Sequence, residues 1–308
     1  MEKKRNVKSE ARNRLIFYIL GMTVPLIQFI IFYFVVNANG FLLSFQKYEM
    51  YGNNAGTYVF NGLNTFRDVI MDFVNLKYLR DGIWRGLLSW LLNQAFFWLS
   101  TFLAYYIAKG FRLSRTYQVI LMLPGIVSSL VMMVTYKFFV CECIPALWED
   151  ITGNSIPSLL DTGETRTTLI VIIFYYCYSI FGSNILLLTS VFSDVSFDIR
   201  EAAQLDGITP FREFWLVFLP ICWPTVSTFV ILSLNSLLSS GYGLYPFYGE
   251  YAPTDTYTLG YYITMRTQTG DLKDYPYLAA LGNLISVITI PIALFVRSFS
   301  KKLEKKYN

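Results

Sequence analysis

The segment Glu201-Ala202-Ala203-Gln204-Leu205-Asp206-Gly207, running on to Phe214 and Leu219-Pro220, is a polar interruption between long apolar runs. What surrounds it decides the fold. Six stretches carry no charged side chain: residues 15–36, 86–108, 116–136, 167–191, 215–238 and 275–296. A hydrocarbon core of about 30 Å needs about 20 helical residues at 1.5 Å each. Only helices and closed barrels satisfy their backbones in lipid. These runs are continuously apolar rather than alternating, so they read as helices. Composition agrees: 54% of the 308 residues are hydrophobic and 15% are charged, against about 25% charged in a soluble domain. The expected fold class is all-α, a polytopic membrane protein with six transmembrane helices in a bilayer.

The net charge is only +4, and its placement is more informative than its size. Lys3, Lys4, Arg5, Lys8, Arg12 and Arg14 precede the first run. Lys109, Arg112 and Arg115 crowd the short second loop, and Arg297, Lys301, Lys302, Lys305 and Lys306 follow the last run. The third loop is acidic, with Glu142, Glu149, Asp150, Asp161 and Glu164. The positive-inside rule then places both termini and the second and fourth loops in the cytoplasm of a plasma-membrane protein. Juxtamembrane position explains these basic segments without nucleic-acid binding. The first run is too long for a secretory signal core and no small-x-small cleavage site follows, so it reads as a retained helix. The expected division is a basic N-terminus at 1–14, a membrane domain at 15–299 and a basic C-terminus at 300–308.

The interrupting loop, 192–214, is expected to be cytoplasmic. Residues 196–205 can form a short helix that ends at Gly207. Thr209 can cap a second helix with Pro210 at its first position, and Pro220 and Pro224 fall where a kink would redirect the fifth span. The first external loop, 37–83, offers an amphipathic stretch near 65–79. The spans contain Pro25 and Gln28, Asn93-Gln94, Pro124-Gly125 and Gly182-Ser183-Asn184. Intramembrane amides are either interhelical glue or contacts to a solute in a polar path. The aromatics of the last external loop, Tyr242 and Tyr245 among them, read either as an interfacial belt or as a mouth that stacks sugar rings.

Several chemistries have no support. There is no phosphate-binding glycine loop and no Gly-Lys dipeptide, so this chain should not bind ATP by that route. No histidine occurs, which removes His-based triads and the His-Glu-x-x-His type of zinc site. Cys141, Cys143, Cys177 and Cys222 have no metal-ligand spacing. No carboxylate or lysine lies well inside a span, which argues against ion coupling. The expectation is a chain without catalysis, metal or cofactor of its own.

Glu201-Ala202-Ala203, then Gly207, then Leu219-Pro220, resembles the signature loop of permease subunits of binding-protein-dependent ABC importers. Ile208 stands where many members have alanine. The chain is similar to the carbohydrate-uptake members in Phe60-Asn61-Gly62-Leu63-Asn64-Thr65-Phe66 and around residues 255–263 and 274–282. It departs from their Gly-Gly-Pro at Gly249-Glu250-Tyr251-Ala252-Pro253. The resemblance implies the type I importer permease fold, like that of methionine-transporter permeases. It implies a path for a sugar or oligosaccharide delivered by an extracytoplasmic binding protein. It also implies a second permease subunit and two ATPase subunits that hold ATP-Mg. Glu201, Ala202, Ala203, Asp206, Gly207 and Pro220 would then couple to the ATPase: Glu201 by a polar contact, the alanines by close approach, Gly207 by its turn. Asn93, Gln94, Asn184, Asn235, Tyr242 and Tyr245 are the candidate path residues, since amides and phenols can satisfy sugar hydroxyls. The alternatives are an importer of a non-sugar solute, or a polytopic membrane enzyme or scaffold.

Overall fold

The computed structural model describes residues 2–52, 54–160 and 165–307. The side chains of Lys3, Lys4, Arg5, Lys8, Arg12, Pro124 and Lys306, and residues Asp161 and Glu164 altogether, lie outside the described residues. Six helices are long and apolar enough to cross a membrane: Asn13–Leu43, Lys77–Ala108, Ser129–Thr152, Arg166–Ser193, Pro210–Ser236 and Tyr275–Lys305. The chain divides into two compact units, Met1–Ile70 with Asp271–Asn283 and Met71–Gly270 with Leu284–Asn308.

In the first unit the N-terminal helix continues past the expected end of its span, through a π-helical stretch Phe29–Val35, to Leu43. The loop that follows is not wholly irregular. It forms a hairpin of β1 (Gln46–Glu49) and β2 (Thr57–Phe60), antiparallel, with Gln46 opposite Phe60. The strands hold Tyr48, Thr57, Tyr58 and Val59, side chains that suit a pleated surface. Gly52 and Gly56, both at positive φ, make the reversal. Thr65 donates to the Gln46 carbonyl at 3.0 Å, and Phe66 packs on Phe45 with ring centroids 5.2 Å apart. These contacts tie β1 to the start of the helix Asn64–Asn75, the amphipathic helix expected near 65–79.

The second unit is built on Lys77–Ala108 and Thr165–Ser193. Lys77–Ala108 begins about two and a half turns before the apolar run that announces it. The apolar run 116–136 is not one helix. Ser114–Ile126 ends where Val127 turns extended, with ψ 142°, and a new helix starts at Ser129. Glycine is a poor helix former, and Gly125 sits in the last turn before the break. The helix before the break makes a close approach to the fourth-span helix. A β-carbon on Gly182 would lie 2.5 Å from the Leu121 carbonyl oxygen, and one on Gly125 would lie 3.1 Å from Ser183 Oγ. The membrane-length apolar helix here is Ser129–Thr152, which includes a π-helical turn at Phe139–Cys143.

The fifth span also starts earlier than expected. Pro210–Glu213 runs through a π-helical turn, Phe214–Phe218, into Leu219–Ser233, so the second loop helix and the span are continuous. Pro220 has no N–H to offer the preceding turn, and a π-turn is a way to absorb that mismatch. The core of this unit packs Phe97, Tyr105, Leu188, Phe192, Phe214 and Phe218 together. Gly182→Ala should lower stability by about 1–3 kcal/mol through overpacking. Gly40→Ala, where an added β-carbon meets nothing within 4 Å, is the matched control. Thermal unfolding in detergent reads both, and equal shifts would remove the close-contact explanation.

Candidate functional site

The loop opens with Ser196 in an extended conformation and forms the helix Phe197–Leu205. Its end is a Schellman arrangement. Gly207 N–H donates to Gln204 O at 3.0 Å and Ile208 N–H reaches Ala203 O at 3.4 Å. Such an end needs a left-handed residue, and Gly207 supplies φ +66° with open space where a β-carbon would be. The glycine is thus required by torsion, not by crowding. Ile208 takes the position after it and closes the motif.

Three residues share the outward face of this helix at four-residue spacing: Phe197, Glu201 and Leu205. Phe197 is 74% exposed and Leu205 83% exposed, and Glu201 is exposed between them. Ala202 and Asp206 are exposed as well. Ala203 points the other way and is buried. Its small size lets the helix lie close to its own bundle, where the sequence reading had it admit a partner. Pro220 is also displaced from that expectation: it lies half-buried beyond the π-turn, inside the fifth span. Arg200 Nη2 donates to the Phe192 carbonyl at 3.0 Å and the Ser193 carbonyl at 2.7 Å. Those are last-turn carbonyls of the fourth-span helix, where a cation is favoured.

Behind the loop is a buried polar cluster that sequence reasoning missed. Glu213 is 3% exposed. It pairs with Lys109 and accepts from the Tyr105 hydroxyl at 2.9 Å. Lys109 was read only as a topological charge. The available signal was a carboxylate in the first turn of a helix, hemmed by Phe211, Phe214, Trp215 and Phe218.

The candidate path residues do not converge. Gln94 is buried and donates to Ser233 Oγ, and Trp90 on the same face donates to the Ser233 carbonyl at 3.0 Å. Tyr242 is 2% exposed and its hydroxyl reaches the carbonyls of Gly86 and Ser236, each at 3.4 Å. Burial pushes its phenol well above the ordinary range. Both side chains therefore join the second-span helix to the end of the fifth. Asn93, Asn184 and Tyr245 are half-buried and Asn235 is exposed. A pocket of about 270 Å³ between the second- and fourth-span helices is lined by Leu88, Leu92, Leu169 and Ile170, with Arg85 and Arg166. None of the six candidates lines it, and its aliphatic walls are ill suited to sugar hydroxyls. Among the described residues no cluster of ligating side chains could hold a metal ion.

Residues 100–307 match the family described as "Binding-protein-dependent transport system inner membrane component". The chain is 24% identical to the galactooligosaccharides transport system permease protein GanP of Bacillus subtilis (strain 168), over 83% of this chain and 63% of GanP. It is 25% identical to protein LplB of the same organism, over 87% of this chain and 83% of LplB. It is 21% identical to the multiple sugar-binding transport system permease protein MsmF of Streptococcus mutans, over 92% and 94% of the two chains. In fold it is similar to a chain of a bacterial ABC transporter involved in the import of the acidic polysaccharide alginate, with TM-score 0.73 and 19% identity over 97% and 99% of the two chains. Tyr242→Ala should cost about 3–5 kcal/mol of stability, as for other large buried rings. A Tyr242→Ala protein with unchanged thermal unfolding would show that the ring is not the packing element described.

Proposed function

We propose a function from the premise that the chain belongs to the family of binding-protein-dependent transport system inner membrane components. Its fold is that of type I ABC importer permeases. The chain forms the path for a sugar or oligosaccharide, delivered by an extracytoplasmic binding protein and driven by a separate ATPase. The carbohydrate class is supported by the names of two relatives, one for galactooligosaccharides and one for multiple sugars, and by the alginate transporter with the same fold. Both termini and the 192–214 loop face the cytoplasm, as the basic flanks favour. ATP-Mg sits on the ATPase, and this chain performs no catalysis. A second permease subunit and two ATPase subunits complete the transporter.

The observation that carries this reading is the outward face of Phe197–Leu205. Two large apolar side chains flank a carboxylate on a helix that lies outside every membrane-length segment. Such a face is suited to a protein partner, with Phe197 and Leu205 as anchors and Glu201 as the polar contact. Because Gly207 orients the helix, ATP-driven closure of the ATPase would move it relative to the membrane. Only a difference in docking between inward-open and outward-open states does work.

Gly207→Val puts a β-branched residue in a left-handed conformation, at a cost of about 1–2 kcal/mol. The expected outcome is loss of ATPase co-purification and of oligosaccharide uptake, with the bundle still folded. Unchanged co-purification and uptake would refute the docking role. A reconstituted complex whose ATP hydrolysis is stimulated by a binding protein carrying a non-sugar solute, and by no oligosaccharide, would overturn the sugar assignment.

A further inference from the structure

Four segments meet around Glu213. Lys109 and Tyr105 come from the end of the second-span helix, and Glu213 lies in the first turn of the fifth. Arg200 comes from the loop helix, and the carbonyls it binds close the fourth-span helix. Lys109 and Glu213 are an ion pair whose side chains are 9% and 3% exposed. The Tyr105 hydroxyl lies 2.9 Å from Glu213 Oε2 and 3.1 Å from the Pro210 carbonyl oxygen. The ring of Phe218 is approached by both cations, with Lys109 Nζ at 5.9 Å and the Arg200 guanidinium at 5.7 Å. Phe218 itself is fully buried, edge-on to Tyr105 at 4.9 Å.

A buried ion pair is weak evidence for stability, because apolar replacements of similar volume often do as well. Its geometry is demanding, however, since removing one partner strands a charge. By itself the loop helix is loosely held. Ala203 is its one buried side chain, and Arg200 ties it back to the fourth span.

We propose that Glu213, with Lys109 and Tyr105, is a positioning latch that makes the cytoplasmic ends of the second and fifth spans one rigid body, which the loop helix meets through Arg200 against the Phe218 ring. The latch rests on the reading that an ATPase moves this loop. Without it, a push that arrives through the loop helix would move the fifth span and leave the second behind. With it, displacement of the loop carries both spans. Tyr105 keeps the second carboxylate oxygen occupied, so the pair cannot swivel while Lys109 holds the first.

The test separates positioning from stability. Spin labels go at Leu99 on the second span and Thr225 on the fifth, both exposed, after the four native cysteines are replaced by alanine. The complex with its co-purified ATPase is measured in lipid nanodiscs with and without ATP and vanadate. The unmodified latch should give one label separation that nucleotide does not alter. The neutral pair Lys109→Met/Glu213→Gln leaves no stranded charge, so it should unfold at the wild-type temperature. It should nevertheless acquire a second, shifted separation when ATP and vanadate are added. A neutral pair that keeps one unaltered separation would overturn the latch, as would a wild-type separation that already shifts with nucleotide. Failure of the wild-type chain to capture any ATPase would refute the importer reading, and the latch with it.

Discussion

A buried backbone carbonyl with no hydrogen-bond partner costs about 1–3 kcal/mol, and a chain that crosses a bilayer has little water to rescue it. Each departure from regular helix here must therefore be matched by a donor. The carbonyl of Phe247, at the end of the short helix Leu244–Tyr248, receives Lys137 at 3.2 Å. Gly249 O, just beyond, receives the Tyr261 hydroxyl at 2.9 Å. Leu160 O, in a turn, receives the Tyr248 hydroxyl at 3.0 Å. Where the third apolar run breaks, the Tyr175 hydroxyl reaches Ser129 O at 3.0 Å. In the last connecting loop Tyr242, Tyr248 and Tyr261 each donate to a backbone carbonyl.

That use explains why irregular segments can exist beside six long helices. The π-turn before Pro220, the break at Val127 and the short helices between 234 and 256 each loosen the backbone locally. Aromatic packing holds them in place: Tyr136, Tyr175 and Phe247 form a cluster with centroids 4.9 to 6.2 Å apart. The other end of the same unit is organised differently. There Tyr105, Phe214 and Phe218 surround the buried Lys109–Glu213 ion pair, and the loop helix reaches them through Arg200. One end is a set of tyrosine donors with Lys137 among them; the other pairs opposite charges. Under the proposed function the first is the outer side, where the binding protein docks, and the second is where force enters.

The spans could be read from the sequence because lipid imposes a simple rule on composition. Residues 167–191 and 275–296 fall inside the observed helices Thr165–Ser193 and Tyr275–Tyr307. Where the reading missed, tertiary demands had overridden local pattern. Hydropathy runs smoothly across Val127 and Ser128; Pro124-Gly125 marks a weak point in the run, but not that a separate helix starts at Ser129. The hairpin escaped because four-residue strands joined through glycines carry little signal. The loop helix was readable from its glycine, its proline and its capping positions. Its inward and outward faces were not, since nothing in Ala202-Ala203 says which alanine meets the bundle. Glu213 was hidden for a related reason: a lone acidic residue in a loop looks solvated until Lys109, more than a hundred residues away, closes on it.

The donor role of the tyrosines inverts the usual scale of chemical similarity. On the membrane-length helices, Phe17, Leu20 or Phe295 point outward, more than half exposed, and wide changes among apolar side chains leave nothing unsatisfied there. At Tyr175, Tyr248 or Tyr261, phenylalanine preserves the ring and its packing and deletes one oxygen, yet that oxygen is the donor to a carbonyl at an irregular stretch of backbone. For anyone comparing variants of this chain, the gentlest-looking exchange is the consequential one, and the drastic-looking exchange on the lipid face is close to silent.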